Sequence, residues 1–136
     1  MPMPPKFDPA RGPRGRGPVQ LPKGGRKGKP PAWPLPGRAI AAELEAWRQL
    51  WATPQAVMWE RLEWTRTVAR YARLMIRAED AEATAALQAQ ATALEDRLGL
   101  TPKSMRLLLW EVVTDEVAEK RDEKATSARG RIKAVG

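Results

Sequence analysis

Apolar residues recur along the middle of the chain at helical intervals. Ile40, Leu44, Trp47 and Trp51 are spaced by 4, 3 and 4 residues, which predicts a first helix from about Arg38 to Ala52. Thr53-Pro54 stops it and starts the next, because threonine caps well and proline at the first helical position gives up no needed hydrogen bond. Val57, Trp64, Val68, Tyr71 and Met75 share one helical face, so a second helix is expected from about Pro54 to Arg77. Ala83, Leu87, Ala91 (or Gln90), Leu94 and Leu98 form a narrow seam near heptad spacing, a third helix from about Glu79 to Leu98. The second and third helices read as an antiparallel hairpin. Gly99 suits the end of the third, and Thr101-Pro102 repeats the start signal for a fourth, from about Pro102 to Asp122. The expected fold is all-α: a small body of about four helices around a central antiparallel helical hairpin.

The fourth helix carries Met105, Leu108, Leu109 and Val112 on one side and Leu107, Trp110 and Val117 on the other. Two apolar sides on one helix of a small domain predict either a protein interface or a helix buried on both faces. Trp47, Trp51, Trp59, Trp64 and Trp110 fit helical faces as core or interface residues.

Residues 1–38 differ in kind. They hold nine Lys/Arg against one acid, Asp8, and eleven of the thirteen prolines. The rest of the chain balances fifteen Lys/Arg against fifteen Asp/Glu, so the net charge of +8 lies wholly in this segment. Residues 1–29 are expected to form a disordered basic arm, too poor in apolar groups to offset the entropy of ordering. Its cations (Arg11, Arg14, Arg16, Lys23, Arg26, Lys27 and Lys29) are spaced by Gly and Pro, which suits a phosphate backbone and gives salt-sensitive, sequence-independent affinity. The alternative is a solubilising tail. Residues 30–37, PPAWPLPG, read as an extended strap in which Trp33 and Leu35 dock on the body of the same or a neighbouring subunit. Residues 38–123 make up the helical core domain, and 124–136 a basic, flexible tail.

Within the body, Arg66, Arg70, Arg73 and Arg77 fall on one side of the second helix, opposite its apolar face. They form either a solvated face paired with Glu79, Asp80 and Glu82, or a ridge facing phosphates or another subunit. Catalysis is not expected. The chain has no Cys and no His, so thiolate chemistry and the commonest base and metal ligand are missing. Glu43, Glu45, Glu60 and Glu63 read as exposed helical carboxylates, and no cofactor is expected. No apolar run reaches the ~18 residues a membrane span needs.

Several stretches, in order, resemble the small terminase subunits of tailed phages, especially of actinobacterial hosts. They are Trp33-Pro34-Leu35-Pro36-Gly37 after a Gly/Pro/Arg arm, Trp47 with Trp51, Thr53-Pro54-Gln55-Ala56 with Trp59, Val68-Ala69-Arg70-Tyr71, and Arg97-Leu98-Gly99-Leu100-Thr101-Pro102-Lys103-Ser104 with Arg106 and Trp110. The likeness covers roughly residues 30–112. It implies a non-enzymatic DNA-packaging adaptor in the host bacterial cytoplasm. Such an adaptor forms a homo-oligomeric ring, binds double-stranded viral DNA, and recruits a large subunit carrying the ATPase and nuclease. Many small terminases begin with a helix-turn-helix. None is evident here, so DNA contact would fall to the arm or the arginine ridge. Trp33, Leu35, Leu107, Trp110 and Val117 are the expected oligomer or partner contacts, and the fourth helix and basic tail the expected contacts with the large subunit. A dimeric nucleoid-type or regulatory DNA-binding protein and a basic interaction scaffold are the alternative readings.

Overall fold

Leu21, inside the segment expected to be a free arm, is fully buried in the computed structural model. The structure describes residues 17–114 and Lys124. Its elements are β1 (Val19–Pro22), α1 (Ala41–Trp51), α2 (Ala56–Arg61), α3 (Thr65–Ala78), α4 (Ala85–Arg97), α5 (Pro102–Leu108) and β2 (Trp110–Val113). The described residues are mostly helical, as expected, but the fold is not all-α. β1 and β2 form a two-stranded parallel sheet in the register Val19↔Trp110 to Pro22↔Val113. Val19 N–H donates to the Leu109 carbonyl at 2.7 Å, and Lys23 N–H to that of Val113 at 2.8 Å.

Local chemistry explains each departure from the helical expectation. The second helix is broken into α2 and α3 at Glu63, whose φ is +58°. Glu63 N–H reaches the Glu60 carbonyl and Trp64 N–H the Trp59 carbonyl, at 3.3 and 2.9 Å, closing α2 with a Schellman turn. Glutamate replaces the usual glycine there, so the apolar spacing ran through the break unmarked. Thr53 does not cap α2; its hydroxyl donates back to the Leu50 carbonyl, and the residue before α2 is Gln55. The third helix starts later than expected, at Ala85. Asp80 accepts from Glu82 N–H in a tight turn, and Thr84 accepts from Leu87 N–H as the N-cap.

The Gly99 stop and the Thr101-Pro102 start are found where expected. Gly99 has φ +75°, and Thr101 and Ser104 bond reciprocally in a capping box. The fourth helix, however, ends at Leu108 instead of Asp122. Leu109 takes a left-handed conformation, φ +59°, and turns the chain into β2. Trp110 then folds over Gly99, where any Cβ would lie 2.2 Å from the indole. β-branched Val112 and Val113 suit the strand that follows. Val117 lies outside the described residues.

The core is built on tryptophans. Trp33, Trp47, Trp51 and Trp59 form an edge-to-face row with centroids 5.2, 5.4 and 5.8 Å apart. Trp47 Nε1–H donates to the Pro31 carbonyl and Trp59 Nε1–H to that of Leu98, both at 2.8 Å. Val68, Ala69 and Ala72 close the row from α3, and Leu21 and Trp110 add the sheet. Ile40 and Leu44 remain about half exposed, because the buried side of α1 is turned toward Glu43, Ala46 and Leu50. α3 and α4 form the expected hairpin, joined across by the Tyr71 hydroxyl donating to Glu95 Oε1 at 2.7 Å. The folded unit therefore includes β1, well before residue 38.

Two measurements test this packing. Leu21→Ala should lower stability in chemical denaturation by about 2–5 kcal/mol; a change typical of a loose tail, within about 0.5 kcal/mol, would contradict β1. Burial, then the bond to Glu95 and the charges of Glu95 and Glu79, hold the Tyr71 phenol well above its ordinary value. A folded-state value above the unfolded one stabilises the protein fully below pH ~10, and that stability is lost as pH rises beyond it. Tyr71 is the single tyrosine, so tyrosinate absorbance reports it alone. Unfolding midpoints should fall more steeply above pH ~10 in the natural chain than in Tyr71→Phe.

Candidate nucleic-acid interface

The four arginines of α3 divide into two kinds. Arg66, Arg70 and Arg77 are exposed, and among the described residues none forms an ion pair. Arg70 reaches only the Thr67 hydroxyl, at 3.3 Å. The acids expected to neutralise the face, Glu79, Asp80 and Glu82, do not pair with it. Arg73 is different. Its Nε donates to Glu43 Oε2 at 2.8 Å, and its guanidinium lies over the Trp33 ring at 5.4 Å. Glu43 is buried, so Arg73 holds a charge that would otherwise be costly in that setting. The ridge thus has three free cations, and the fourth ties the strap and α1 to α3.

The basic groups before the body divide in the same way. Arg11, Arg14 and Arg16 lie outside the described residues. Lys23, Lys27 and Lys29 are exposed. Arg26 is tied down: it forms an ion pair with Glu60, lies over the Trp51 ring at 5.4 Å, and donates from Nη1 to the Lys29 carbonyl at 3.1 Å. Arg26, expected among the DNA contacts, has its charge matched within the fold by Glu60. Of the four carboxylates expected to be exposed, Glu45, Glu60 and Glu63 are, whereas Glu43 is buried against Arg73; Glu45 and Glu60 pair with Arg48 and Arg26.

The expected interface residues also separate. Trp33 and Leu35 pack against the core of their own chain, so the strap docks within one subunit. Trp110 is 5% exposed and belongs to the core. Leu107 is 76% exposed, on the rim of an open groove of about 280 Å³ between α4 and α5 that Asp96, Arg97 and Lys103 also line. Leu109 and Val112 are exposed as well. The pattern placed them on an apolar side of the fourth helix, either at an interface or buried; the left-handed turn at Leu109 ends that helix and leaves both exposed. Among the described residues no helix is long and apolar enough to cross a membrane, and no cluster of metal-ligating side chains occurs.

The division of the arginines is open to measurement. Arg73→Gln should cost about 1–3 kcal/mol in denaturation, because it leaves Glu43 buried without its partner. Arg66→Gln, Arg70→Gln and Arg77→Gln should each change stability by less than about 0.5 kcal/mol. Equal effects at all four positions would contradict the assignment.

No family model matches the chain, and no curated protein or solved structure matches it either.

Proposed function

We propose that this chain is a DNA-packaging adaptor of the small-terminase kind. In this reading it binds double-stranded viral DNA in the host bacterial cytoplasm. It assembles as a homo-oligomeric ring and presents the DNA to a large subunit that supplies the ATPase and nuclease. The observation that carries the reading is the unpaired row of Arg66, Arg70 and Arg77 on the outer face of α3. Its chemistry is that of phosphate contact. A guanidinium presents a planar fork of N–H donors that matches two phosphate oxygens. Each phosphate neutralised releases counterions, giving affinity without base reading. The exposed Leu107, Leu109 and Val112 offer the apolar surface that subunit or partner contact needs. Repetition around a ring would then turn weak single-subunit contacts into a firm grip.

Light scattering should give one large, discrete mass; a strict monomer at micromolar concentration sinks the ring. Duplex DNA binding should weaken steeply with salt. Replacing Arg66, Arg70 and Arg77 together by Gln should make the log–log salt slope shallower by about 2 to 3. An unchanged slope would remove α3 from the interface.

A further inference from the structure

The segment Lys23–Lys29 has the composition of a flexible arm and the contacts of a clamped loop. It leaves β1 through the bond from Lys23 N–H to the Val113 carbonyl, then turns, with Gly25 N–H on the Pro22 carbonyl at 3.0 Å. Gly25 is buried against the end of α1, where a Cβ would sit 1.8 Å from the Ala52 carbonyl oxygen, and its φ is +85°. Only glycine fits there on both counts. Arg26 N–H bonds the Thr53 carbonyl at 3.1 Å, and its side chain is held by Glu60, Trp51 and the Lys29 carbonyl. Beyond the loop, the Pro31 carbonyl accepts from Trp47. The segment is thus fixed at its start, its middle and its exit.

Three side chains remain outside these contacts, or nearly so: Lys23, Lys27 and Lys29, all exposed, with Lys27 Nζ at 3.5 Å from the Gly24 carbonyl. No acid occurs in the sequence between Asp8 and Glu43, and the carboxylate that meets the loop, Glu60, is already neutralised by Arg26. We infer that this loop is a preorganised binding surface for the phosphate backbone of duplex DNA, with Gly25 and Arg26 as its positioning residues. The inference rests on the packaging-adaptor reading and adds a second contact surface to it.

The chemistry favours duplex phosphate over other polyanions. Protein partners are gripped by buried aromatic or aliphatic anchors, and the exposed positions of this loop are lysines and glycines. Single strands are gripped by stacking on open aromatic rings. The indole that meets the loop, Trp51, is buried beneath Arg26. What remains is a set of point charges on a rigid frame. Rigidity matters because a free arm loses about 1–2 kcal/mol of backbone entropy per residue on ordering, whereas a clamped loop has lost it on folding.

The test measures duplex affinity of the full chain across a salt series for three proteins: natural, Lys23→Gln/Lys27→Gln/Lys29→Gln, and Gly25→Ala. The lysine variant should make the slope shallower by about 2 to 3 and keep the natural melting temperature. Gly25→Ala keeps every charge, so its slope should hold while its affinity falls about tenfold. If the natural protein binds DNA and the lysine variant matches it in slope and affinity, the loop assignment is overturned and the adaptor reading stands. If the natural protein does not bind duplex DNA, both fall. A polyglutamate chain or single-stranded DNA that competes as well as duplex overturns the choice of partner. If Gly25→Ala fails to fold, the lysine variant decides the matter alone.

Discussion

Four indole rings in edge-to-face contact hold this fold together. Trp33 comes from the proline-rich strap, Trp47 and Trp51 from α1, and Trp59 from α2. Each ring pair contributes about 0.5–1.5 kcal/mol beyond the area it buries. Their placement matters more than their sum. The Trp59 bond to the Leu98 carbonyl holds the end of α4 against α2, and the Trp47 bond to the Pro31 carbonyl holds the strap against α1. Arg73 caps the row at Trp33 and Arg26 lies over its third ring, Trp51. A chain with short helices and a small core gains from such a row, because each large, flat side chain serves two elements at once.

That row sorts the cations. A guanidinium beside an indole and a carboxylate is structural; one that faces water is available. Arg26 and Arg73 belong to the first kind, and Arg66, Arg70 and Arg77 to the second. The structural pair also places the available groups. Arg73 sets α1 against α3, and Arg26 pins the loop that displays three lysines. Both candidate phosphate surfaces are therefore positioned by arginines that are themselves engaged within the fold.

Much of the helical body was legible in the chain because its signals are local. Gly99 and Thr101-Pro102 carry their own conformational preferences, and the structure has the break where they require it. The strap was legible too, since apolar residues among prolines have few settings other than a docked one. What escaped was decided at a distance or by residues that seldom do the job. Glu63 and Leu109 take left-handed conformations that favour glycine, so both breaks were silent. The pairing of β1 with β2 joins segments some ninety residues apart, and no periodicity reports it. Among the arginines, spacing put four on one side of α3. Only the position of Glu43 on α1, across the helix contact, shows that Arg73 is not like the rest.

The parallel pairing of β1 and β2 also sets how the body would carry a pull. The two strands run in the same direction, so the chain enters β1 at one end of the ribbon and leaves β2 at the other. Tension applied before Val19 and after Val113 therefore slides the strands along each other and loads the ladder bonds together, instead of opening them one by one. Everything from α1 to α5 lies in the loop that this ladder closes. While the four-residue ladder holds, the helices bear none of the load, which makes the small sheet a mechanical clasp around the body.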